Sequence, residues 1–83
     1  MKNDVLKEFV TNNHLGLDEV NGFIVSTVKL PLFGEFETMV FGFYPNTREV
    51  NLNELYVERY TNKEDAISGH KRIVQMTENN GFF

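Results

Sequence analysis

Residues 35–43 constrain the fold of this 83-residue chain more than any other segment. In a strand, successive side chains point to opposite faces of the sheet. Here apolar side chains occur on both faces, unlike a strand that has one face in water. The pattern therefore predicts a central strand that is covered on both sides. One face would hold Phe36, Thr38, Val40 and Gly42, and the other Glu37, Met39, Phe41 and Phe43.

Three further strands are predicted around this segment. β-Branched and aromatic residues favour strands, and Asn21-Gly22 is typical of a type I′ hairpin turn. The alternative for the residues before this turn is that 17–21 form plain loop. Residues 44–53, with a turn at Pro45 and three Asn, predict the longest loop. The predicted strands are 15–20, 23–31, 35–43 and 54–60.

A helix is predicted near each end of the chain. Residues 3–12 form a short amphipathic pattern, which must dock on the rest of the fold because a helix of this length is unstable alone. The C-terminal helix, about 62–78, would begin with a capping box in which the Thr61 hydroxyl accepts a hydrogen bond from the Glu64 amide. Its predicted inward stripe is Ala66, Ile67, His70, Ile73, Val74 and Thr77.

The order of these elements predicts a single α+β domain over residues 1–83. Its sheet would be an antiparallel meander of three to four strands, with the long helix packed on one face. Hydrophobic residues make up 41% of the chain and charged residues 24%, which is typical of a globular domain. Because eight Phe and three Tyr occur in so short a chain, aromatic rings are expected to supply much of the core.

Composition also excludes several classes of function. The chain has no Cys, so disulfides and thiolate metal sites are excluded. Its net charge of −4 disfavours direct nucleic-acid binding, which usually needs a basic face. No apolar run is long enough to span a membrane, and the N-terminus lacks the pattern of a signal peptide. We therefore expect a cytoplasmic protein without a membrane or nucleic-acid partner.

Short segments of the chain carry a family resemblance. They are VSTV at 25–28, FETMVFG at 36–42, ERY at 58–60, and Gly69-His70 in the predicted helix. This pattern covers most of the chain and resembles a set of small proteins encoded by bacteriophages and prophages, with FETMVFG as its most specific part. The resemblance implies a viral origin and a host-cell cytoplasmic location, and it implies no reaction.

The chain departs from that family pattern at one place. The family often carries a Gly- and Asp-rich insert after its first segment, whereas this chain has the shorter KLPLFG at 29–34. A function that depends on the insert would be absent here.

One group of residues suggests catalysis or metal binding. Glu37, Glu58 and His70 combine two carboxylates with an imidazole, a set that can hold a divalent metal or transfer protons. The alternative is that His70 is a boundary residue bonded to backbone or to a Tyr, and that Arg59 pairs across strands with Glu37 or Glu35. Neither serine lies in a nucleophile motif, so we predict no catalytic residue, no metal and no cofactor.

Gly69 is unusual because it lies within the predicted helix. Gly costs about 1 kcal/mol relative to Ala at such a position. The compensation we predict is close approach of the helix to the sheet, over Phe36 or Phe41.

The aromatic content suggests an interaction surface. One helix covers one face of a sheet, so the other face would remain open unless the chain supplies a second layer of its own. We predict that a protein partner or a second copy of the chain binds there. The candidate contacts are Met39, Phe41, Phe43, Tyr44 and Phe23.

The leading hypothesis is therefore a non-enzymatic phage accessory protein that binds a host or phage protein. Its alternatives are an acidic decoy that inhibits a host DNA-acting enzyme, and a small metal-dependent enzyme that uses Glu37, Glu58 and His70.

Overall fold

The computed structural model describes residues 14–30, 34–44 and 46–79. Within these residues, four antiparallel strands form one sheet in the order β1-β2-β3-β4, and one helix packs on it. This confirms the predicted α+β meander with a long C-terminal helix, while the helix predicted at 3–12 lies outside the described residues. The elements are β1 (His14–Val20), β2 (Phe23–Lys29), β3 (Phe36–Tyr44), β4 (Glu49–Tyr60) and α1 (Lys63–Glu78).

The hairpin between β1 and β2 has the turn that its residues predict. Asn21 and Gly22 both have positive φ angles, 50° and 81°, as a type I′ turn requires. The Asn21 side chain also donates a hydrogen bond of 2.8 Å to the backbone carbonyl of Glu78. Because the last carbonyls of a helix have no partner within the helix, this bond ties the hairpin to the end of α1.

Strand β4 is longer than predicted. It begins at Glu49, so the prediction of loop up to residue 53 is wrong for its second half. The turn before β4 closes through Arg48, which has a φ of 61° and whose amide donates to the Tyr44 carbonyl. Polar residues fit here because β4 is an edge strand, and Val50 packs against the buried cluster that contains Phe43.

The pairing of β4 with β3 has one irregularity. Val40 pairs with Tyr56, whereas Gly42 pairs with Asn51, so β4 carries extra residues at this point. Such a bulge bends the strand and interrupts regular pairing. The regular part of β4 that follows it runs from Tyr56 to Tyr60.

Helix α1 begins one residue later than predicted. Its N-cap is Asn62, whose side-chain oxygen accepts a hydrogen bond of 2.8 Å from the Asp65 amide. The Asn62 amide group in turn donates to the Asp65 carboxylate. The prediction that Thr61 and Glu64 form the cap is therefore wrong, because the next pair along the chain has the same spacing and an equally good capping residue.

The core between α1 and the sheet is apolar at its centre. Val25, Val40 and Ile73 are fully buried there, with Phe23 among the partly buried side chains packed against them. Four residues of the predicted inward stripe are buried and Val74 packs against the cluster, but Ile67 is exposed and Gly69 is buried in its place. The four buried residues are Ala66, His70, Ile73 and Thr77.

Candidate functional site

The predicted metal or catalytic group is not assembled. Glu37 pairs with Arg59 and Thr38 with Glu58 in the strand register, so the two glutamates lie on opposite faces of the sheet. Glu37 instead accepts a hydrogen bond of 2.9 Å from Arg59 Nε, which confirms the predicted cross-strand pair. Among residues 14–30, 34–44 and 46–79, no three His, Asp or Glu side chains lie close enough to hold a metal ion.

His70 belongs to a different arrangement, at the interface between α1 and the sheet. Its Nδ1 lies 2.7 Å from the Thr27 hydroxyl, which lies 2.5 Å from the Thr38 hydroxyl. Its Nε2 lies 2.6 Å from a carboxylate oxygen of Asp18. The expected backbone or Tyr partner of His70 is therefore replaced by Thr27 and Asp18.

Hydrogen bonds continue from the threonines along the α1 face of the sheet to its β4 edge. Thr38 forms a side-chain hydrogen bond with Tyr60. The Tyr60 hydroxyl donates to a Glu58 carboxylate oxygen at 2.7 Å, and Arg72 donates to the same oxygen. These links join α1 to all four strands. We call this set the polar chain: Asp18, His70, Thr27, Thr38, Tyr60, Glu58 and Arg72.

One end of the polar chain has the residue order of a catalytic triad, but a substrate cannot reach it. An acid, an imidazole and a hydroxyl follow one another in Asp18, His70 and Thr27. A nucleophile must reach its substrate, and Thr27 has 0% of its surface exposed. Its hydroxyl also bonds Thr38, which is equally buried. The arrangement therefore satisfies buried polar groups, and it does not present a nucleophile.

A second histidine lies near a serine. His14 Nε2 is 2.8 Å from the Ser26 hydroxyl, a pair that no sequence motif predicted. Burial lowers the pKa of His14, and the charge of the nearby His70 lowers it further. A neutral imidazole next to a hydroxyl is the setting of a general base. Ser26, however, is buried in the middle of β2, so this pair also lacks access to a substrate.

Two shallow grooves flank the exposed Asp18 side chain between β1 and α1, with volumes of about 270 and 230 Å³. Both nitrogens of His70 already have hydrogen-bond partners, so His70 offers neither groove a free ring nitrogen. The larger groove is lined by Asp18, His70, Lys71, Val74, Gln75 and Glu78. The smaller groove is lined by Leu15, Gly16, Asp18, Ile67, His70 and Lys71.

The polar chain makes a spectroscopic prediction for Tyr60. Burial, above all, and the hydrogen bond to Glu58 raise the pKa of Tyr60 to about 12. The folded state therefore holds this proton more tightly than the unfolded state, so the stability contribution is present below pH 10 and is lost as the pH rises through 12. In an absorbance titration of tyrosinate, Tyr60→Phe should remove the component near pH 12, while Tyr44→Phe should leave it. Loss of that component in Tyr44→Phe would contradict the assignment.

The sheet face opposite α1 is not the open surface that was predicted. Phe41 and Phe43 keep only 6% and 3% of their surface exposed, and they form a buried cluster with Ile24. Leu17, Met39 and Val50 pack against that cluster. The prediction that Phe41 and Phe43 lie open to a partner is wrong, because these rings already form a core within one chain.

The other candidate contact residues lie in three different settings. Phe23 packs against the cluster on the α1 side, so its predicted place beside Met39 is wrong. The register explains this, since Val25 pairs with Val40 and odd-numbered β2 residues therefore face the helix. Met39 is partly buried, and Tyr44 is 53% exposed.

Exposed apolar residues occur instead on β4. Leu55 and Val57 are 49% and 39% exposed, and Val57 pairs with the partly buried Met39 of β3. We call Met39, Leu55 and Val57 the β4 patch. The sequence did not predict that Leu55 and Val57 are exposed, because a strand with covered edges would show the same alternation of side chains.

Comparisons with known proteins give no further guidance. No family model, no curated protein and no solved structure matches the chain. Within the residues that the structure describes, no helix is both long and apolar enough to cross a membrane.

Proposed function

We propose that the protein acts by binding another protein through the β4 patch. The observation that carries this proposal is the exposure of Leu55 and Val57 on a strand at the edge of the sheet. Contiguous exposed apolar side chains often mark interaction sites. A strand at the edge of a sheet can also pair with a strand of another chain. Together they offer a partner both apolar contact and strand pairing.

The composition of β4 supports the same conclusion. Natural edge strands are commonly protected from pairing by Pro, by charged side chains, especially Lys, or by a bulge. Residues 49–60 contain neither Pro nor Lys, and the bulge before Tyr56 interrupts only the first half of the strand. The regular part from Tyr56 to Tyr60 is therefore the segment that suits an added strand, the arrangement in which backbone hydrogen bonds provide affinity and alternate side chains provide specificity.

Charge pairing disfavours the acidic-decoy alternative. A decoy for a DNA site needs unneutralised carboxylates on one surface. Here Glu37 pairs with Arg59, and Glu58 pairs with Arg72. A third carboxylate, Asp18, bonds His70. The resemblance to small phage proteins supports a host or phage protein as partner, and an accessory rather than catalytic role.

Site-specific photocrosslinking in cells that produce the chain tests the proposal. A photoreactive phenylalanine derivative at position 55 should give a protein adduct, and the same group at Ser68, which is exposed on α1, should not. Adding Val57→Lys should abolish the adduct at position 55, because a charge on the patch opposes apolar contact. Equal labelling from both positions, or labelling that survives Val57→Lys, would overturn the proposal.

A further inference from the structure

We infer that Asn21-Gly22 is a site of spontaneous covalent modification, at which deamidation of Asn21 weakens the contact between the β1–β2 hairpin and the end of α1. The hairpin contains β1, the edge strand opposite β4, so this inference is independent of the proposed function. The reaction consumes water and needs no enzyme.

The chemistry of the site follows from its two residues. The Gly22 nitrogen attacks the side-chain carbonyl carbon of Asn21 and forms a new C–N bond, and Gly has no side chain to obstruct this approach. The amide C–N bond of Asn21 breaks, and its nitrogen leaves as ammonia with the proton of the Gly22 amide. Water then opens the resulting succinimide ring at either carbonyl. The product at position 21 is an aspartate or an isoaspartate.

The structure places Asn21 within reach of solvent and bonds its side chain to α1. Asn21 is exposed at the tip of the hairpin. Its side-chain nitrogen donates to the backbone carbonyl of Glu78 at 2.8 Å and to that of Thr77 at 3.3 Å. Because these bonds restrain the side chain, attack by Gly22 follows local opening of the contact. Such an opening costs less free energy than global unfolding, so the folded chain should react slowly.

The product has the wrong charge for this position. An ionised carboxylate only accepts hydrogen bonds, so both bonds to the carbonyls of α1 are lost. The C-terminus of a helix also carries partial negative charge. The last turn of α1 contains no basic residue, and Glu78 adds a further carboxylate there. The new charge at position 21 therefore repels the end of α1.

The turn itself tolerates an aspartate. Asp-Gly, like Asn-Gly, is typical of a type I′ turn, so the loss of stability falls on the contact with α1. An isoaspartate adds a methylene group to the backbone of the turn and disturbs the hairpin as well. Because ammonia is released, neither product returns to Asn21, and weakened molecules accumulate as the protein ages.

Peptide mapping by mass spectrometry tests the modification. After incubation at mildly alkaline pH, Asn21 should be partly converted in the folded chain and convert at least roughly tenfold faster in urea, which removes the bonds to α1. Asn46 is the matched control, because it is also exposed but is followed by Thr47, whose branched side chain obstructs the attack. An unconverted Asn21 in the folded chain, equal rates in the two states, or equal conversion of Asn46 would overturn the inference.

Three variants test the consequence by urea denaturation. Asn21→Asp should lower the unfolding midpoint more than Asn21→Gly, which keeps a turn-compatible residue and removes the donor without adding a charge. Added salt should narrow the difference between them, because it screens repulsion between exposed charges. Ser68→Asp adds the same charge at an exposed position away from the end of α1, and it should leave the midpoint nearly unchanged.

The aged protein gives a measurement that does not depend on any variant. The fraction converted at Asn21 carries one more negative charge, so ion exchange separates it from the unconverted fraction. Its unfolding midpoint should be lower than that of the unconverted fraction from the same sample. Equal midpoints of the two fractions, or an Asn21→Asp variant as stable as Asn21→Gly, would show that this reaction does not weaken the contact with α1.

Discussion

Gly69→Ala should destabilise the protein by about 2–3 kcal/mol, although the same change stabilises most helices. A Cβ at Gly69 would overlap the ring and hydroxyl of Tyr60. That ring cannot simply turn away, because its hydroxyl donates to Glu58 and is hydrogen-bonded to Thr38. Chemical denaturation monitored by circular dichroism measures the loss as a lower unfolding midpoint.

Ser68→Ala is the matched control, since Ser68 is the exposed neighbour of Gly69 on the same helix. It should change stability by less than about 0.5 kcal/mol. In a chain that already carries Tyr60→Leu, Gly69→Ala should cost less stability than it does in the parent, because the smaller side chain leaves room for the methyl group. A Gly69→Ala variant as stable as the parent would show that the helix does not approach Tyr60 this closely.

Gly69 also shows what sequence reasoning can and cannot provide. A glycine within a strongly patterned helix predicts close contact with the sheet, and the structure has such a contact. The contacting residue is Tyr60, and not Phe36 or Phe41 as expected. The difference depends on the path of α1 across the sheet, which no local pattern determines. The sequence therefore predicted that the helix contacts the sheet at Gly69, but it did not predict which residue it contacts.

The same distinction applies to the strands. Local chemistry predicted the Asn21-Gly22 turn and the alternation of β3, because each depends on neighbouring residues. The start of β4 was missed because pairing with β3, rather than propensity, places polar residues from Glu49 onward in a strand. Similarly, the burial of Phe41 depends on which residues pack over its face, and hydrophobic alternation does not reveal it.

The polar chain is the largest feature that the sequence did not predict, and its residues show why. Thr27 and Thr38 occur in ordinary strand positions, and Asp18 precedes a turn. Their side chains meet only because the β1–β2 and β2–β3 registers place them beside His70 of α1. The one feature of the sequence that pointed to the polar chain was His70, a histidine on an apolar stripe of the helix. A polar residue in that position requires a partner.

His70→Leu should therefore cost about 2–3 kcal/mol of stability, because it removes hydrogen bonds to a carboxylate and to a buried hydroxyl. His70→Gln should cost less, since an amide can bond one of the two partners. Lys71→Gln, at the neighbouring exposed position, is the control and should have little effect. Urea denaturation of the three variants measures the differences.

A double-mutant cycle separates the hydrogen bonds from simple packing. Thr27→Val keeps the shape of the side chain and removes its hydroxyl. Combined with His70→Leu it should cost roughly 1 kcal/mol less than the sum of the single changes, because the hydroxyl whose bond to His70 was lost is no longer present. Strict additivity would mean that His70 stabilises the fold by packing alone.

The pKa of His14 reports the nearby charge of His70. With His70 replaced by Gln, His14 is the single histidine in the chain and its ring protons titrate alone in NMR spectra. Its pKa should rise when the repulsion from His70 is removed, but it should stay below the ordinary value because burial is the larger cause of the shift. A lowered pKa makes the folded state bind fewer protons than the unfolded state, so His14 disfavours folding as the pH falls below about 6.5. His70→Gln should weaken that acid sensitivity, and an unchanged His14 pKa would show that the two rings do not interact.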